Sequence, residues 1–201
     1  MGRHSEVGLF AQWVAANTAA GLVCGLALVV LARMAGSDWK YLVVLLVWWA
    51  GFGMLVGTAQ WLVFRKRWRM SRWWLPLAST VGICAPWIAF VVAGLSSAFV
   101  ANSLAIPLAG GVAGAVVGGV QLLLLDPPPQ RRAPWILASA AAVALALWAS
   151  RGSLNFSLLS APPGLILAGG LAGAIYGIMT GVVFIMLPPP EHRPAASNVL
   201  L

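Results

Sequence analysis

GMLVGTAQ at residues 53–60 returns as GAVVGGVQ at 114–121 and as GAIYGIMT at 173–180, so one glycine-striped apolar helix occurs three times in the chain. WVAAN (13–17), WLPLA (74–78) and WILAS (135–139) begin 61 residues apart and mark a second helix ahead of each copy. The pattern predicts an all-α, polytopic membrane protein. It would be one membrane domain over 1–201, built from three repeated two-helix hairpins at about 13–73, 74–134 and 135–194. A two-helix unit keeps its topology from copy to copy, so the hairpins are expected around a pseudo-threefold axis along the membrane normal. The connecting segments are related too. LDPPPQRR (125–132) resembles LPPPEHR (187–193), and the prolines stop each helix at its exit from the membrane.

Composition points to the same solvent. Of the 201 residues, 61% are hydrophobic and 8% charged, whereas a water-soluble domain has roughly a quarter charged. About 20 apolar residues cross a bilayer as a helix, and six stretches qualify: 8–32, 41–64, 75–100, 104–125, 135–150 and 164–187. The fifth is short and is expected to thin the bilayer, snorkel or continue into LNFSLLS (154–160), with five spans and a re-entrant segment as the alternative. The first stretch is expected to remain as a helix and not to be cleaved as a signal, because its pattern recurs later. Glu6 stands where a myristoylation signal needs Ser or Thr.

The net charge of +8 follows the loops. With a cytoplasmic N-terminus, that side collects Arg3, Arg65, Lys66, Arg67, Arg69, Arg72, Arg131, Arg132 and Arg193, leaving Arg33, Lys40 and Arg151 opposite. The bias predicts both termini in the cytoplasm and a multi-pass protein of the cytoplasmic (inner) membrane. The basic run RKRWRMSRWW (65–74) is read as a tight turn at the headgroups, not as a nucleic-acid site. Trp13, Trp39, Trp61, Trp68, Trp73, Trp74 and Trp135 are expected in the interfacial aromatic belts.

Two sets of residues stand out within the copied helices. Gly53 and Gly57, Gly114 and Gly118, and Gly173 and Gly177 lie four apart, on one face, where they allow close backbone approach. Gly111 and Gly170 extend two of the stripes, and the even-numbered helices are expected to pack through them against one another or against their hairpin partners. Three residues beyond the second glycine come Gln60, Gln121 and Thr180, with Asn17, Ser79 and Ser139 at comparable depth on the odd helices. Polar groups in hydrocarbon need partners. These six residues therefore either bond to one another or line a small polar ligand site open to the cytoplasm.

Chemistry is sparse. Glu6, Asp38, Asp126 and Glu191 fall in loops or termini, and His4 and His192 lie near the chain ends. No span carries an acid or base for proton coupling. No serine sits in GxSxG, and no nucleotide-binding motif is present. Cys24 and Cys84 read as packing residues, with no metal site. No cofactor is evident; a pigment or lipid is the class that the eleven tryptophans leave open.

At GTAQWLVFRKR (57–67) followed by WWLPLAS (73–79), the chain resembles a scattered group of small bacterial multispan membrane proteins whose signature reads like GLAQWLVLRR, a basic turn and WWxLAS. The likeness is best over 53–79. In the second copy Leu122 and Leu125 replace the Trp and Arg, and the third lacks the Gln. The resemblance implies a helical membrane fold and carries no activity. The substrate-capture subunits of energy-coupling-factor vitamin transporters are similar in size and span count only. The reading is therefore a non-enzymatic membrane protein, a structural or assembly subunit with protein partners in the bilayer. The alternative is a small-solute or lipophilic-ligand binding or transport component.

Overall fold

In a computed structural model of the chain, residues 3–35, 40–65, 73–96, 102–125, 129–150 and 162–186 are described. They form six helices: α1 (Arg3–Ala35), α2 (Lys40–Phe64), α3 (Trp74–Ser96), α4 (Asn102–Leu125), α5 (Pro129–Ser150) and α6 (Pro162–Met186). Proline opens α5 and α6, where a missing N–H costs nothing. α5 contains the short fifth stretch. It gains length backward, through Pro129–Pro134, and reaches 22 residues, about 33 Å at 1.5 Å per residue. LNFSLLS lies outside the described residues.

Among the described residues, four helices carry stretches long and apolar enough to cross a membrane: Glu6–Leu31, Leu104–Leu124, Arg132–Ala149 and Pro163–Met186. In α2 the described apolar portion is Gly53–Phe64. The radial distribution of side chains is that of a membrane protein. Leu95, Leu123, Leu137 and Leu167 face outward, while Asn17, Gln60, Gln121, Ser139 and Thr180 are buried. Hydrocarbon outside removes the penalty for exposed leucine and leaves the interior as the place where polar groups can find partners. The chain is an all-α, multi-pass membrane protein.

Each helix packs on its neighbours in sequence, and α6 returns to pack on α1, which closes a ring of six. The seams are unequal. The most intimate join α1 with α6 and α4 with α5, and glycine explains why. A Cβ on Gly177 would sit 2.9 Å from the Val14 Cα, and one on Gly25 would sit 2.6 Å from the Leu165 carbonyl oxygen. Gly21 and Gly169 abut each other's backbone, and Gly173 abuts the Asn17 carbonyl. Residue numbers rise on one helix as they fall on the other, so the pair is antiparallel. The same register recurs between α4 and α5, where a Cβ on Gly110 would lie 2.9 Å from the Ala144 Cα and one on Gly118 the same distance from the Ser139 Cβ. Gly114 abuts the Ser139 backbone, and Gly57 of α2 abuts Ala78 of α3. Gly53 is buried as well.

The glycine faces therefore meet within the chain, on a partner not anticipated above. Each even helix lays its stripe on the odd helix that follows it around the ring, with α1 following α6. Neither another even helix nor the first helix of the same hairpin takes that place. Gly111 has only ordinary contact with Ala144, and Gly170 meets the Leu22 side chain.

Substitution should track these distances. Gly173→Leu would force α1 and α6 apart and is expected to destabilise by about 1–3 kcal/mol or more. At Gly119 an added Cβ meets nothing within 4 Å; Gly119→Ala is expected to be neutral or to stabilise by up to about 1 kcal/mol through helix propensity. Thermal unfolding of both variants in one detergent checks the order.

Candidate functional site

Near the ends formed by the N-termini of the odd helices and the C-termini of the even ones, two layers fill the ring. The outer layer is aromatic. Trp13, Trp74 and Trp135 are 0–1% exposed and pack with Phe64 and Phe184, flanked by Leu9, Val63 and Leu122. Trp13 stacks on Phe184 at 5.0 Å between centroids and meets Phe64 edge-on at 4.8 Å, while Phe64 meets Trp74 edge-on at 5.1 Å. Such offset and edge-on pairs are the favoured aromatic geometries.

This corrects the expected belt. Trp13, Trp74 and Trp135 are core residues, because each indole N–H is drawn inward to an acceptor on the preceding even helix around the ring. Trp13 donates to Thr180 Oγ1 at 3.0 Å, Trp74 to the Gly57 carbonyl at 2.8 Å and Trp135 to Gln121 Oε1 at 3.1 Å. Trp73, 59% exposed, faces outward, and Trp61 carries the Arg65 guanidinium 4.7 Å above its ring. Trp39 and Trp68 lie outside the described residues.

One helical turn further in lies the polar layer, because Asn17 follows Trp13 by four residues, Ser139 follows Trp135, and Gln60 and Thr180 precede Phe64 and Phe184 by four. Gln121 Nε2 donates to Gln60 Oε1 at 3.0 Å, and Gln60 Nε2 donates to Asn17 Oδ1 at 3.0 Å. Asn17 Nδ2 donates to the Trp13 carbonyl at 2.9 Å. On α6 the Tyr176 hydroxyl donates to Gln121 Oε1 at 3.2 Å, and Thr180 Oγ1 donates to the Tyr176 carbonyl at 2.6 Å. α2 and α4 are not adjacent in the ring, nor are α4 and α6, so the bonds to Gln60 and Tyr176 cross its centre.

Five of the six candidate polar residues, Asn17, Gln60, Gln121, Ser139 and Thr180, are thus buried in this region. Ser79 belongs to α3, and its side chain lies outside the described residues. The residue 61 positions after Asn17 is in fact Ala78, which packs on Gly57. Gln60, turned toward Asn17 and Gln121, leaves Trp74 to bond the Gly57 backbone. Tyr176 was not among the candidates. It occupies the column of Val56 and Val117, and its long side chain brings a hydroxyl to Gln121 where the third copy has lost its glutamine. A tyrosine replacing valine one turn before a missing glutamine was the available signal.

The aromatic cluster covers the polar layer on the side of Arg65 and Arg132. Elsewhere, an apolar groove of about 650 Å³ runs along α1 beside Ile178, lined by Phe10, Ala11, Val14, Thr18 and Leu22. The Thr18 hydroxyl there bonds its own helix, to the Val14 carbonyl at 2.8 Å. Among the described residues no group of three or more His, Cys, Asp or Glu could hold a metal ion. Cys24 is buried and Cys84 exposed, and neither is in a disulfide.

Thr180→Val keeps shape but leaves the buried Trp13 indole N–H without its acceptor. It is expected to cost about 1–3 kcal/mol, with Thr180→Ser restoring most of that, as read by unfolding in detergent together with the Trp emission maximum. Comparison with protein-family models, with curated proteins and with solved structures finds no match for this chain.

Proposed function

We propose that the chain is a non-enzymatic integral protein of the cytoplasmic membrane that acts as a structural or assembly subunit of a larger membrane complex. In this reading the three copied hairpins surround a pseudo-threefold axis, both termini are cytoplasmic, and all six helices span. The observation that carries it is the closure of the polar layer on itself. Gln60, Gln121, Asn17 and Thr180 bond one another, Tyr176 and the tryptophans of the next layer, and the packed rings of Trp13, Phe64, Trp135 and Phe184 lie across one side of it. Residues engaged in this way hold helices together; a solute path would need them free and the aromatic cluster parted.

The rest of the interior fits the same role. The layer is built from neutral amides and hydroxyls, which bond but do not shuttle protons at ordinary pH. The outward faces are apolar, as a lipid or a neighbouring membrane helix requires, and the basic turns fit anionic headgroups. The carrier reading uses the same residues as ligand contacts, so one variant separates the two.

Gln60→Leu with Gln121→Leu removes the bond across the ring centre. For an assembly subunit, mild-detergent purification of this double variant should retain the partner proteins of the natural chain at unchanged stoichiometry, with an unfolding midpoint lowered by a few degrees. A small molecule retained by a solitary natural chain, and lost from a folded double variant, would instead establish a carrier. Mass spectrometry of co-purifying proteins and extracted small molecules reads both outcomes.

A further inference from the structure

Arg65 carries a charge that the packing of the ring does not use. It is the first residue beyond Gly53–Phe64, the described apolar portion of α2, and it is exposed. A long basic side chain there keeps its head at the level of the lipid headgroups. Its backbone N–H bonds the Trp61 carbonyl at 2.9 Å, and its guanidinium lies over the Trp61 ring, 4.7 Å from the centroid. A stacked guanidinium commits its flat face and keeps its N–H donors, which point outward in its own plane. Among the described residues no side-chain hydrogen bond or ion pair takes up those donors. Nor does the fold require the pair. Leu122 and Gly181 stand at the position of Trp61 in the other two copies, whose helices pack into the ring without an aromatic platform.

Further into the membrane the same face of α2 is apolar. Leu62, Thr58 and Leu55 precede Arg65 by three, seven and ten residues and so lie beneath it. Leu62 is 42% exposed and Leu55 41%. Thr58 does not interrupt the run, because its hydroxyl is closed onto the Met54 carbonyl at 2.7 Å. One helix face therefore offers fork-shaped N–H donors at the membrane boundary and then about 15 Å of apolar surface. The fork matches two phosphate oxygens in parallel hydrogen bonds. Phosphate above hydrocarbon is the profile of a phospholipid. Lys66, Arg67, Arg69 and Arg72 follow in the sequence; they draw anions to this end without belonging to the site, which favours a headgroup of net negative charge.

We infer that Arg65, held flat by Trp61, binds the phosphate of an anionic phospholipid whose acyl chain lies along the Leu62 and Leu55 face of α2. Trp61 is the positioning residue: it fixes the plane of the guanidinium before the lipid arrives, so less freedom is lost on binding. Arg65 supplies the hydrogen bonds. Such a lipid sits on the outside of the ring, with or without protein partners elsewhere on the chain.

Native mass spectrometry of the full chain in detergent, titrated with an equimolar mixture of phosphatidylglycerol and phosphatidylcholine of identical acyl chains, tests the site. The natural chain should retain phosphatidylglycerol in preference, and Arg65→Gln should weaken that retention about tenfold, as expected for loss of a charge-assisted contact. Two variants leave the net charge unchanged. Arg65→Lys has no planar fork, and Trp61→Leu gives α2 the residue that the second copy carries; each should weaken retention about threefold. Unfolding midpoints without added lipid verify that the variants fold. Equal retention of the two lipids, or an Arg65→Gln chain that holds phosphatidylglycerol as the natural one does, would overturn the site. Full retention by either charge-preserving variant would also overturn it, leaving only the attraction of a basic surface. An excess of inorganic phosphate should leave the lipid in place; its displacement would assign the contact to free phosphate and sink the lipid. The purification outcome for the double glutamine variant can fall on either side without affecting this one.

Discussion

A side-chain amide in hydrocarbon has no water to fall back on, and the hydrogen bond from Gln121 to Gln60 is where this chain meets that constraint. The two residues belong to helices that are not neighbours in the ring. Their bond can form only if α2 and α4 both turn the same face to the centre, and only if α3 stands between them at the right distance. Once it forms, further acceptor and donor positions of the two amides are engaged around the ring. They are met by Asn17 of α1, Trp135 of α5 and Tyr176 of α6. Interhelical bonds in membranes are individually weak, about 0.6 kcal/mol on average. Their weight lies in the penalty for arrangements that would leave an amide unpaired.

Dispersion supplies the attraction that such bonds direct. Lipid tails are as apolar as leucine, so helices gain little from hiding leucine and much from bringing backbones close. The even helices carry the glycines that permit this, and each spends them on one side only. α6 approaches α1 most closely of all, and this is the seam with no connecting loop. Backbone contact at Gly21, Gly169 and Gly173 does there what a covalent turn does for α2 with α3 and α4 with α5.

Much of this was legible in the sequence because copies advertise their shared positions. The glycines at 57, 118 and 177 and the polar residues at 60, 121 and 180 fall in register, and no structure was needed to place them on one face. What the sequence left open was direction. Helices apolar all round carry no stripe to mark their inner face, so Trp13, Trp74 and Trp135, lying near helix ends, read as interfacial when they are core. Packing partners were hidden for a related reason: the repeat unit follows chain order, whereas the tight seams follow the ring and cross from one copy to the next. Ser79 was chosen by residue type, but the 61-residue spacing leads to Ala78. Tyr176 was missed because it stands in a valine column, one turn from the position it serves.

The differences between matching positions matter more than their likeness. Three identical hairpins could close in more than one order, or pair with hairpins of a second chain, at nearly equal energy. Here the equivalent positions differ: Asn17, Ala78 and Ser139 on the odd helices, and Gln60, Gln121 and Thr180 on the even ones. Gln60 donates to the amide oxygen of Asn17, an acceptor that Ala78 lacks. Trp13 donates to a hydroxyl placed by Thr180, and Tyr176 reaches an amide that already holds Trp135. Exchanging two hairpins would break these particular pairings. Buried polar residues of this kind fix register and order at some cost in stability, so the drift of the third copy away from glutamine tells the ring which helix closes it.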